Sequence, residues 1–138
     1  MKLFIDTSIF IDCLRRKVVN SSIYFLESLI TDNLGFTSAI TVAELSVGAH
    51  LSHRKDALDK TLELISIVEV VDINTDVAVE GGKIYSRLVK EGGTIELNDC
   101  LISATAISQG INKIVTRNIN HFKRIKEIEV FTPEELGY

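Results

Sequence analysis

Short β-branched runs alternate with longer helical patterns along this chain, and that alternation limits its fold more than any other feature. Lys2–Ile5, Leu34–Thr37, Ile67–Val71, Lys113–Val115 and Glu129–Phe131 read as strands. Between them lie helical stretches at Ser8–Arg16, Ser21–Asp32, Ile40–His50, Arg54–Ser66, Asp76–Glu91 and Asp99–Gln109. Strands that are separated by helices pair in parallel through right-handed crossovers, with helices on both faces of the sheet. The prediction is an α/β domain of this kind. In such sheets ligands bind outside the carboxyl ends of the strands, near the point where strand order switches.

The individual elements carry finer expectations. Ile23, Leu26, Leu29 and Ile30 should form the buried face of the second helix, and Leu58, Leu62 and Ile65 that of the fourth. Ile67–Val71 is nearly continuous in apolar residues, as suits a strand buried on both faces. Val77, Gly81, Ile84 and Leu88 form one stripe on the next helix, which Gly92–Gly93 should end. Asp99–Gln109 is apolar around most of its circumference and is expected to be central.

At 138 residues the chain is read as one domain, residues 1–138. Three apolar residues before Asp6 are too few for a signal-peptide core, and no run approaches the ~20 that a membrane span needs. Cys13 and Cys100 have no CxxC spacing, lie in apolar periodic segments, and are expected to be buried free thiols. These features predict a soluble protein in the cytoplasm. The net charge of −4 argues against a protein that holds nucleic acid mainly by charge. It leaves room for an enzyme whose carboxylates are offset by bound cations.

Three acids stand at or near helix starts: Asp6 after the first strand, Glu44 in "TVAEL" and Asp99 in "LNDCLISATA". Each has a purely structural explanation. Asp6 could cap its own helix, Thr41 to Glu44 fits a capping box, and Asp99 follows Asn98, a good N-cap. "TPEE" from Thr132 to Glu135 repeats the capping pattern with no claim to a site. Capping does not require burial, however, and the segments after Asp6 and Asp99 are apolar enough to be interior. Carboxylates gathered at one sheet edge repel one another unless a cation intervenes. Hard ions such as Mg²⁺ or Mn²⁺ take such oxygen ligands, and the absence of His and Cys from these positions disfavours zinc.

"FIDTSIFID", "TVAELSVGA", "NDCLISATAISQG" and "IVTRNINHF" occur in that order along the chain. With them the sequence resembles the PIN-domain ribonucleases, most closely the small toxin members called VapC. The resemblance covers essentially the whole chain. It implies a three-layer α/β/α sandwich around a five-stranded parallel sheet, metal-dependent cleavage of RNA, inhibition by a small VapB-type antitoxin, and a homodimer whose two acidic sites open into a shared groove. Asp6, Glu44 and Asp99 match the family's acidic positions, Asp6 and Asp99 as ligands of Mg²⁺ or Mn²⁺. Asn118 stands where many members place a fourth acid, so it supplies no charge to a second ion. Thr7, Ser8 and Thr116 match hydroxyl residues expected to orient ligands or waters. Arg117 and Lys123 are candidates for phosphate contact.

Other residues are read more plainly. Arg15, Arg16 and Lys17 make a solvated basic run, Asp12 a helix-surface residue, Asp76 a capping residue, and His121 a surface or packing residue. His50 and His53 have no ligand partner in view. Two other enzyme or signalling classes fit less well. A phosphoacceptor domain would use Asp72 after the middle strand but needs a late lysine where "VTRN" stands. A dehalogenase-like phosphatase needs a second acid where "DTS" has Ser8. A PIN-type RNA-processing nuclease without a toxin role, or a PIN scaffold without catalysis, remains an alternative.

Overall fold

A computed structural model describes all 138 residues. The strands are β1 (Lys2–Ile5), β2 (Leu34–Ser38), β3 (Glu69–Val71), β4 (Lys113–Val115) and β5 (Glu129–Phe131). The helices are α1 (Thr7–Leu14), α2 (Asn20–Thr31), α3 (Ala39–Leu51), α4 (Ala57–Ile65), α5 (Thr75–Lys90), α6 (Leu97–Ser108) and α7 (Ile119–Phe122), and a 3₁₀ turn follows at Glu134–Leu136. All five strands pair in parallel in the order β3-β2-β1-β4-β5. The domain is thus the expected three-layer sandwich. No helix is long and apolar enough to cross a membrane.

The two-residue period of β1 divides the core. Phe4 enters a cluster with Val77, Ile84, Leu88 and Ile102 of α5 and α6. Leu3 and Ile5 point the other way, into a cluster with Ile9, Phe10, Phe25 and Leu26 of α1 and α2. Burying a side chain of this size contributes roughly 1.5–3 kcal/mol. Leu3, Phe4 and Ile5 of β1 are at most 1% exposed and feed both clusters, so β1 is the central staple of the fold.

On α5 the predicted stripe of Val77, Gly81, Ile84 and Leu88 is buried as a set. Gly81 is there for close approach, since a Cβ at that position would lie 2.6 Å from Leu101 Cδ2 of α6. Gly92, with φ of 72°, terminates the helix in the left-handed region. Asn74 caps its start by accepting from the Val77 N–H, with Asp76 in the first turn.

Four expectations are corrected. β3 spans only Glu69–Val71, at the edge of the sheet, with Glu69 and Val70 exposed; its apolar run is not buried on both faces. Leu58 and Leu62 are exposed on α4 while Thr61 and Ile65 face inward. On α2 the exposed residue is Ile30, and Phe25 takes its place in the core. α6 begins at Leu97, so Asn98 lies inside the helix and is not its cap.

Candidate active site

The sheet changes direction at β1, with β2 on one side and β4 on the other. The carboxyl ends of β1 and β4 therefore define the crevice where such a fold binds ligands. Asp6 and Thr116 are the first residues past those ends, and they meet there. The Asp6 N–H donates to Val115 O at 3.0 Å, and Thr116 Oγ1 donates to Asp6 Oδ2 at 2.7 Å.

Asp6 is 2% exposed and is the N-cap of α1. Its Oδ2 accepts from the Ser8 N–H at 3.3 Å, from Ser8 Oγ at 2.7 Å and from Thr116. All three donors converge on one oxygen, and Oδ1 has no protein donor. The carboxylate is therefore a cap through one oxygen and leaves the other for something else. Ser8 and Thr116 both hold Asp6 Oδ2, and their hydroxyls lie 3.3 Å apart.

Glu44 repeats the arrangement. It is half-buried in the second turn of α3 and accepts from Thr7 Oγ1 through Oε1 at 2.8 Å. Thr7 Oγ1 also lies 2.9 Å from Thr41 Oγ1, both threonines being buried. No capping box forms here, because α3 begins at Ala39 and Ser38 caps it by accepting from the Ile40 N–H. Glu44 Oε2 is left without a protein donor.

Asp99 sits in the first turn of α6, 8% exposed, with Oδ2 at 3.2 Å from His121 Nδ1. Burial pushes its carboxyl up to about 6, the charge of Asp6 adds to the rise, the His121 contact opposes it, and Glu44 raises it further. Three carboxylates are thus near enough to resist shared ionisation. The imidazole is the one basic group in contact with them.

His121 is exposed, as read, and its ring is in addition paired with Asp99, a contact the sequence did not indicate. Arg117 is corrected as a phosphate contact, since its guanidinium donates to Asp12, Glu134, Ser21 and Ser22. Asp12 is correspondingly no surface residue. It is 5% exposed and ion-paired with Arg117 at 2.7 Å.

The remaining residues stand mostly apart. Asn118 is exposed, with its backbone N–H donating to Thr116 Oγ1 at 2.9 Å. Lys123 is exposed at the end of α7. Arg15, Arg16 and Lys17 are exposed, His50 bonds only within α3, and His53 is exposed on the loop before α4. Cys100 is buried and Cys13 half-buried; both are free, and burial pushes both thiols up to about 11, which makes them inert.

Whether this donor set suits a divalent ion can be judged from the oxygens. Asp6 Oδ1, Glu44 Oε2 and Asp99 Oδ1 are hard donors with no protein hydrogen bond to give up. No three of the His, Cys, Asp and Glu side chains close round a single point as they stand. An ion such as Mg²⁺ is typically held by one or two carboxylates and keeps several waters, so it does not need all three to converge. The arrangement does not match a closed four-ligand zinc site. The free carboxylate oxygens therefore suit an open, water-rich site made of oxygen donors.

Comparison with known proteins agrees with this architecture. The family model described as PIN domain matches residues 3–128. Ribonuclease VapC2 of Rickettsia felis is 33% identical over 104 residues, covering 75% of this chain and 77% of that protein. The tRNA(fMet)-specific endonuclease VapC of Salmonella typhimurium is 34% identical over 94 residues, covering 67% and 70%. Among solved structures, VapBC2 from Rickettsia felis bound to a DNA fragment from its promoter superposes with a TM-score of 0.83 at 28% identity, covering 96% of this chain and 98% of that one.

Proposed function

This chain belongs to the PIN-domain family, and from that premise we propose that it is a VapC-type endoribonuclease, the toxin of a toxin–antitoxin pair. The observation that carries the reading is the set of three carboxylates at the switch of strand order, each held through one oxygen and open through the other. A structural cap would have no reason to leave buried charge facing charge.

A Mg²⁺ or Mn²⁺ ion bound there supplies Lewis acidity toward a phosphoryl oxygen and lowers the pKa of a bound water. The chain's own residues do the rest. Ser8 and Thr116 fix Asp6 Oδ2 so that Oδ1 is presented as a ligand, and His121 fixes Asp99 in the same manner. Thr7 holds Glu44 Oε1, which leaves Oε2 to accept a hydrogen bond from the attacking water and so orient it. Lys123, exposed beyond α7, is the phosphate contact that remains once Arg117 is excluded. Attack by water on the scissile phosphorus displaces one ribose oxygen and leaves two RNA ends.

The partners follow from the relatives and from the surface. A VapB-type antitoxin is proposed because the solved relative above is a VapBC assembly. A groove of about 530 Å³ that reaches Glu44 is the surface proposed for it, being lined by Ile11, Leu14 and Leu45 together with Arg15, Arg16 and Arg54. A homodimer would cover Val47, Leu51, Leu58 and Leu62, which α3 and α4 leave exposed. Two free cysteines are in keeping with action in the cytoplasm.

The test is cleavage of RNA by purified protein after chelation and metal add-back. Mg²⁺ or Mn²⁺ should restore activity and Zn²⁺ should do so poorly. Undiminished cleavage in excess EDTA would refute the metal-dependent reading.

A further inference from the structure

Arg117 stands between the two groups that aim Asp6. Thr116, before it, donates Oγ1 to Asp6 Oδ2 at 2.7 Å. The backbone N–H of Arg117 donates to Ser8 Oγ at 2.9 Å, and that hydroxyl donates to the same Oδ2 at 2.7 Å. The Asn118 N–H closes the turn on Thr116 Oγ1. Residues 116–118 therefore decide where Oδ2 sits, and with it where Oδ1 points.

The guanidinium anchors this loop to three distant parts of the chain. Nε donates to Asp12 Oδ2 of α1 at 2.7 Å, and Nη1 to Glu134 Oε2 of the C-terminal turn at 2.6 Å. Nη2 donates to Ser21 and Ser22 of α2 at 3.0 and 2.8 Å. Ser22 Oγ returns a bond to Asp12 Oδ2, and Ser21 Oγ one to Glu134 Oε1. The anions are thus tied down before the arginine meets them. A fork held on both tines by carboxylates is geometrically rigid in a way that a lysine cannot match.

Resting on the metal-site reading above, we propose that Arg117 is a positioning residue: through Ser8 and Thr116 its anchored loop sets the orientation of the Asp6 carboxylate. Asp12 and Glu134 act with it, although neither touches the site. Loosening the fork lets Oδ1 swing, which weakens ion binding and lowers kcat while leaving KM for RNA unchanged.

The experiment is Mn²⁺ binding to the full-length protein without RNA, by calorimetry, at a temperature where every variant is folded by circular dichroism. Arg117→Lys keeps the charge and loses the fork. The Asp12→Asn/Arg117→Gln pair leaves no unpaired buried charge, so it guards against a folding failure. Glu134→Gln weakens the outer tine only. Loss of a group that orients a metal ligand typically weakens affinity 10–100-fold, so the first two should raise the Mn²⁺ Kd about tenfold and Glu134→Gln about threefold. Arg87→Lys is the comparison, because it loosens the same kind of fork, to Glu127, with no hydrogen bond to a site residue. It should stay within twofold of wild type. If Asp6→Asn weakens Mn²⁺ strongly but both Arg117 variants bind within twofold of wild type, the positioning role is wrong and the metal site stands. If Asp6→Asn binds as wild type does, both readings fall. An equal loss in Arg87→Lys would mark a general effect of stability and overturn the inference.

Discussion

Asp99→Asn should make the metal-free protein more stable while abolishing its activity. The Asp99 carboxyl is pushed from its ordinary 3.8 up to about 6, chiefly by burial and by the charge of Asp6. A raised carboxyl favours the protonated folded state, so its contribution to stability is fully present below pH 3.8 and is lost as pH rises through 6. At 1.36 kcal/mol per pH unit, the charged form burdens the fold by on the order of 2–3 kcal/mol at neutral pH. An amide of the same shape removes that burden and can still face His121. For a chain of this size 1 kcal/mol corresponds to roughly 3–4 °C in Tm, so the variant should melt about 6–12 °C higher in EDTA at pH 7.5. The advantage should shrink toward zero as pH falls below about 4.5. Added Mn²⁺ should reverse the order, because only the wild type gains stability by mass action. Thermal melts followed by circular dichroism, across pH and with and without Mn²⁺, measure all of this. Equal melting of the two proteins at pH 7.5 in EDTA would refute the reasoning. So would an advantage of the same size at pH 4.5, since its cause would then not be charge.

Three further outcomes are expected. Asp6→Asn should abolish cleavage and leave the fold intact, because Asn can still accept from Ser8 and Thr116; near-normal turnover in a folded variant would make Asp6 a cap alone. With Asn118 in place of a fourth acid, calorimetry without RNA should find one Mn²⁺ site, and Asn118→Asp should tighten it and lower the metal concentration needed for activity. Two tight sites in wild type, or an Asn118→Asp affinity that does not move, would exclude Asn118 from the ligand sphere. Leu58→Asp with Leu62→Asp should convert a dimer into a folded monomer by light scattering; a dimer that persists would move the interface off α4.

What the sequence made legible was whatever depends on local periodicity. The stripe of Val77, Gly81, Ile84 and Leu88 is a local pattern, and it is buried as read. Asp6 and Asp99 could be placed at element boundaries, and parallel topology brought those boundaries to one edge. What depended on long-range pairing was not visible. The run Ile67–Val71 looks interior until the sheet order puts β3 at the edge. Asp12 and Arg117 are 105 residues apart, and nothing in either neighbourhood announces the pair. Nothing in the sequence around His121 points to Asp99, and only the position of α7 just past the end of β4 brings the two together. The "TVAE" pattern failed for a nearer reason, since Ser38 starts the helix earlier and draws Thr41 into the helix interior. The same pattern in "TPEE" does form, with Thr132 and Glu135 bonding each other's backbone.

The central strand is synthesised before the other four strands of its sheet. β1 pairs with β2 early, but its other neighbour, β4, begins at Lys113. At translation rates of about 5–20 residues per second, β1 waits roughly 5–20 seconds with one edge unpaired. Its partner contacts on that side join positions more than a hundred residues apart, the kind of closure that makes folding slow. Thr116 cannot reach Asp6, nor His121 reach Asp99, before that closure happens. A nascent chain of this protein therefore carries Asp6 and Glu44 for most of its synthesis, and Asp99 after them, with no assembled site, so its nuclease chemistry switches on only as residues 113–138 fold into place.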